Sequence, residues 1–158
     1  MRDVCVIGIG QTPIGELWDK GLRQLAFEAL QAATVDAGVE QPEALYMANM
    51  LAARVSDQAQ LGALIADFVG WRGIEAATVE AACASGGVAF QAAVRAVASS
   101  MVNVAAVCGV EKMTDQTGSA VTTGLATAAD ADYELIHGVT FVALNALLMR
   151  RYMAEYDI

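Results

Sequence analysis

Cys83 has the residue type and setting that most directly suggest chemistry. It stands in Glu80-Ala81-Ala82-Cys83-Ala84-Ser85-Gly86-Gly87, between an extended apolar run at 74–79 and an alanine-rich helical stretch at 84–100. A helix N-terminus has unpaired backbone N–H groups and a partial positive charge, so a thiolate there is stabilised and its pKa is expected to fall. The spacing therefore predicts a cysteine nucleophile of the kind used in acyl transfer. Ser85 would cap the helix or brace the turn, capping being the preferred reading. Gly86 and Gly87 would let the first helical turn approach a neighbour closely, or serve packing alone.

Other residues invite chemistry less directly. Cys5 and Cys108 fall in apolar runs that read as buried strands, where a thiol is desolvated and inert. The only histidine, His137, precedes Gly138 at the end of an irregular stretch, from which it could reach the cavity of Cys83. Glu80 and Glu111 end strands on the side where α/β proteins bind ligands, and read best as hydrogen-bonding carboxylates. Gly8, Gly10 and Gly15 suggest a dinucleotide turn, but the third glycine is late and Pro13 stands near its place. The second predicted strand ends at Asn49 instead of an acidic residue, so the fingerprint fails and no nicotinamide cofactor is expected. Three widely spaced cysteines and one histidine also argue against a metal centre or a disulfide framework.

To position these residues the chain alternates strand and helix patterns. Residues 4–9 are continuously apolar and β-branched, which predicts a central strand buried on both faces. Residues 21–37 carry apolar positions at helical spacing, closed by Gly38. Strands follow at 44–51, 74–79 and 102–110, with helices at 59–69 and 84–100, the last apolar nearly all round and so expected to be buried. Such repeated units imply an α/β fold with a mostly parallel sheet between helical layers. Residues 114–132 lack any sustained period and read as an excursion or lid. Helical periodicity returns at 140–156. The reading is one α/β domain over residues 1–113 and the start of an inserted loop subdomain over 114–158, with the sheet unfinished at Ile158.

Of the 158 residues, 56% are hydrophobic and only 17% charged, so a good part of the surface is expected to be covered by another subunit or further chain. A net charge of -9 without a basic stripe excludes a nucleic-acid binder. The apolar stretch after Met1 is too short for a signal peptide and no run could cross a bilayer, so a cytoplasmic protein is expected.

Four segments give the chain a likeness to a known family. They are Val6-Ile7-Gly8-Ile9-Gly10-Gln11-Thr12-Pro13, residues 79–87 around Cys83, Gly109-Val110-Glu111-Lys112-Met113-Thr114, and His137-Gly138-Val139-Thr140-Phe141 with Arg150-Arg151-Tyr152-Met153. Together they resemble the N-terminal part of the thiolase superfamily, above all the sterol-carrier-type and archaeal-type acetyl-CoA acetyltransferases. The resemblance implies a layered α/β/α thiolase fold and an acyl-CoA substrate, with coenzyme A as substrate or product and no other cofactor. It further implies that Cys83 carries the acyl group as a thioester, its backbone N–H contributing to an oxyanion hole, in Claisen condensation or thiolysis. His137, Gly138 and Phe141 would line the acyl and pantetheine pocket.

The family's second half has no counterpart here. Its Asn-containing oxyanion motif, its Gly-His-Pro segment and its second cysteine are missing, and Val142 and Asn145 stand where relatives tend to carry proline and tyrosine. The resemblance thus implies a homo-oligomer that also needs the missing half, or a second polypeptide, for turnover. Two other readings stay open: a non-catalytic scaffold of thiolase fold, and a ketoacyl-synthase-like condensing enzyme.

Overall fold

The computed structural model describes residues 2–158, which form two compact units, the first running to Asp115 and the second from Gln116 to Ile158. The first unit contains α1 (Leu22–Ala37), β1 (Ala44–Ala48), α2 (Ala52–Val55), α3 (Leu61–Val69), β2 (Glu75–Val79), α4 (Ser85–Ala98) and β3 (Ala105–Gly109). Its three strands are all parallel, in the order β2-β1-β3. The α/β class with a parallel sheet is as the sequence implies.

Every residue of the central strand β1 is buried, and the pleat sends alternate side chains to opposite faces. Leu45 and Met47 join Leu22, Ala26, Leu30, Leu61 and Ile65 of α1 and α3 in one cluster. Ala44, Tyr46 and Ala48 face Ala89, Ala93 and Ala96 of α4 in the other. Small residues decide how closely the layers approach. A Cβ on Gly62 would lie 2.6 Å from the Ala77 backbone, so α3 rests directly on β2, and the Gly62 N–H donates to Thr78 Oγ1 at 2.9 Å.

The run at 4–9 is not a strand. It is extended chain beside α1, with Val6 and Ile9 exposed and no place in the sheet. Gly8 and Gly10 lie flat on α1, where a Cβ would come within 2.5 Å of Ala33 O and 2.2 Å of Ala29 O respectively; they serve close approach. Ile9 N–H donates to Asp36 at 2.9 Å. A strand needs a partner for its backbone groups as well as a suitable composition, and no neighbouring strand is within reach of this run. Cys5, expected to be buried in that strand, is accordingly exposed. The expectation for α4 also needs correction, since Val88 and Phe90 are 42% and 50% exposed and only one face of the helix packs on the sheet.

The second unit holds α5 (Gly118–Ala126), a short 3-10 turn Leu135–His137 and α6 (Phe141–Tyr156). The stretch read as irregular therefore contains a helix. Thr117 caps it, accepting the Ala120 N–H at 3.3 Å, and Thr140 does the same for α6 through Ala143 at 3.2 Å. Two threonines in the middle of α5 return their hydroxyls to carbonyls four residues back, which hides the helix from a periodicity search.

Candidate functional site

The C-terminal ends of the three strands are where open α/β sheets bind ligands. There, β1 and β3 are tied by one carboxylate. Glu111 accepts the backbone N–H of Met50 at 3.3 Å and of Leu51 at 2.9 Å, and also the Asn49 amide at 3.1 Å. Asn49 spends its oxygen on the Ala52 N–H at 2.8 Å, starting α2. Glu111 is thus the structural carboxylate expected of it, and Asn49 joins it in that role. Lys112, next in sequence, is buried and ion-paired with Asp115 at 2.7 Å, and it donates to the Leu17 carbonyl at 3.1 Å. Its ammonium lies 6.0 Å from the Trp18 ring centre, so it pins the loop before α1 to the end of β3. Sequence patterning gave no hint of this role, because a single lysine after a strand is ordinarily solvated.

Cys83 lies in a 3-10 turn, Ala82–Ala84, between β2 and α4. The chain reverses there through Ala82, which has φ of +48°, a left-handed conformation that costs a residue with a Cβ about 1 kcal/mol or more. Hydrogen bonds on both sides hold it in place. Glu80 accepts the Ala82 N–H at 2.5 Å, and Ser85 Oγ donates to the Ala82 carbonyl at 2.6 Å while accepting the Ala81 N–H at 2.9 Å. Ser85 is therefore the brace of the turn and not the helix cap; the N-cap position belongs to Ala84, with no side-chain bond. The sequence offered both roles for Ser85, and only backbone dihedrals distinguish them.

Held this way, Cys83 is exposed, and a 14-residue helix runs away from it. Gly86 and Gly87 have nothing within 4 Å of where a Cβ would be, so they face open space in the first turn of α4 and make no close contact. Cys108, by contrast, is buried in β3, and desolvation pushes its thiol up to about 11.

The other predicted site residues lie in the second unit. His137 is exposed and ends the 3-10 turn, with its N–H donating to Glu134 O at 3.3 Å. Gly138 takes the left-handed φ of +70° that closes the turn. Phe141 opens α6 at 38% exposure. Among the described residues, no three His, Cys, Asp or Glu side chains gather as a metal site, and no helix is long and apolar enough to cross a membrane.

Comparison with known proteins places this arrangement in a family. Residues 4–156 match the family described as Thiolase, N-terminal domain. An acetyl-CoA acetyltransferase of Methanothermobacter thermautotrophicus is 46% identical over 99% of this chain and 41% of its own length. One from Methanocaldococcus jannaschii is 42% identical over all of this chain and 40% of its own. Benzoylsuccinyl-CoA thiolase subunit BbsB of Thauera aromatica is 34% identical over 98% of this chain and 39% of its own. The chain spans about two fifths of the length of these relatives. With the family match covering nearly every residue, the chain belongs to the thiolase N-terminal domain family.

Proposed function

We propose that the chain is the nucleophile-bearing part of a thiolase-type acyl-CoA acyltransferase, of the acetyl-CoA acetyltransferase kind. The observation that carries this reading is an exposed cysteine on a strained, braced turn at the mouth of α4, in a chain of this family. Cys83 Sγ attacks the carbonyl carbon of an acyl-CoA. The new C–S bond forms as the bond to coenzyme A breaks, and the departing thiolate takes up the proton that Cys83 gave up. The backbone N–H of Cys83 and the open first turn of α4 supply the positive end that a developing oxyanion needs.

His137, Gly138 and Phe141 are proposed to line the pocket for the acyl group and the pantetheine arm; support for this comes from the family likeness. Condensation further needs a base to take the α-proton of a second acyl-CoA, whose carbanion then attacks the thioester and expels the Cys83 thiolate. We assign that base to the portion of a thiolase that this chain does not span, supplied as further chain or as a second polypeptide, in an oligomeric, cytoplasmic enzyme.

Acetyl-CoA and iodoacetamide test the reading together. Mass spectrometry at neutral pH should find acetyl on Cys83, and alkylation at Cys83 at least about tenfold faster than at Cys108, with exposed Cys5 between them. Acetyl-CoA should not be turned over by this chain alone. Equal, slow labelling at Cys83 and Cys108, or steady condensation by the chain alone, would remove the proposal.

A further inference from the structure

The turn that carries Cys83 starts both the 3-10 turn Ala82–Ala84 and helix α4, so its first amides have no carbonyl one turn back to receive them. Side chains take up two of them. Ala81 N–H goes to Ser85 Oγ at 2.9 Å, and Ala82 N–H to the Glu80 carboxylate at 2.5 Å. Ala84 N–H reaches the Ala81 carbonyl at 2.9 Å, and Ser85 N–H the Ala82 carbonyl. Among the described residues, none accepts the N–H of Cys83. From Ala81 to Ser85, the one amide left over therefore belongs to the residue that bears the thiol.

The direction of that amide depends on the residue before it. Ala82 stands at φ of +48°, and a residue with a Cβ released from there relaxes to negative φ. Such a change would swing the peptide between Ala82 and Cys83, and the Cys83 N–H with it. Glu80 opposes it through a charge-assisted bond. Its side chain is exposed, and among the described residues this is the one hydrogen bond its carboxylate makes. We propose that Glu80 is a positioning residue for the nucleophile: by taking up the Ala82 N–H it holds the left-handed turn, so that Cys83 presents its own N–H, unspent, to the oxygen of an acyl group arriving at the thiol. This role takes its ligand from the acyltransferase reading above and its geometry from the hydrogen bonds of the turn. An acceptor oxygen suffices for it, and no proton is moved by Glu80.

Two reactions at one sulfur separate this role from a general loosening. Alkylation by iodoacetamide needs the sulfur alone, whereas acetyl transfer from acetyl-CoA also puts negative charge on a carbonyl oxygen that an N–H must meet. In the whole chain, Glu80→Ala should lower the acetylation rate of Cys83 at least about tenfold relative to its alkylation rate. Glu80→Gln keeps an oxygen for the Ala82 N–H and should hold that ratio within about threefold of the parent. Amide exchange followed by NMR is read alongside: the Ala82 N–H should exchange at least about tenfold faster in Glu80→Ala and as in the parent in Glu80→Gln. Buried Cys108 reports the fold by staying slow to alkylate. Should it become reactive in Glu80→Ala, Glu80→Met repeats the measurement with a side chain of similar length and no oxygen; unfolding of that variant too would make Glu80 a residue of the fold and overturn the proposal. An unchanged ratio or unchanged Ala82 exchange in the folded variant would also overturn it, as would a Gln variant as impaired as the Ala variant. If the parent takes up no acetyl group, the acyltransferase reading falls, and Ala82 exchange, which needs no substrate, still decides whether Glu80 holds the turn.

Discussion

Cys83 and Cys108 are one residue type in opposite settings, and the difference has a consequence for stability as well as reactivity. Burial raises the Cys108 thiol from 9.0 to about 11, so the native state keeps its proton over a range where the unfolded chain loses it. The stability this burial protects is whole below pH 9 and declines as pH rises toward 11, by about 2 kcal/mol. Urea midpoints at pH 8, 10 and 11 should show the fall, and Cys108→Ala, though less stable overall, should show less of it. Part of the slope will remain, because Tyr46 is also held protonated, by burial and by its bond to Glu75. The sequence made Cys83 and Cys108 legible, since each setting follows from nearby residues. Cys5 was not legible: its exposure depends on which strand, if any, lies beside residues 4–9.

At the scale of elements, the helices and strands that pack on β1 could be read from their periodicity because burial on both faces leaves a strong apolar signal. The strand expected at 4–9 and the helix α5 are the exceptions, for opposite reasons: one has the pattern without a pairing partner, the other a helix whose polar positions bond back to their own turn. Glycine at a layer contact is a subtler feature, since the sequence does not say which glycines are flush against backbone. Gly62→Ala should destabilise the first unit by about 1 to 3 kcal/mol, because its methyl would meet the Ala77 backbone. Gly21→Ala, with nothing within 4 Å, should stay within about 0.5 kcal/mol. Thermal melts of both variants provide the comparison; equal shifts would mean that α3 can slide off β2 at little cost.

For the whole molecule, the high apolar content has a visible counterpart. Ile7, Ile9 and Ile14 in the first unit, and Val142, Leu148 and Met149 in the second, are all more than half exposed. Such surface binds anilinonaphthalene sulfonate, so the chain should enhance the dye's fluorescence, and a chain that does not would have this surface covered. What the sequence could not show is where the uncovered surface would gather, since that depends on how the backbone of residues 2–10 is fastened. Arg2 bonds to the Val97 and Val102 carbonyls and to Asn103, while Gly8, Gly10 and Asp36 hold the other end to α1. With both ends anchored, Ile7 and Ile9 ride on a fixed backbone, so whatever covers them meets a pre-organised surface and loses little of its host's conformational entropy.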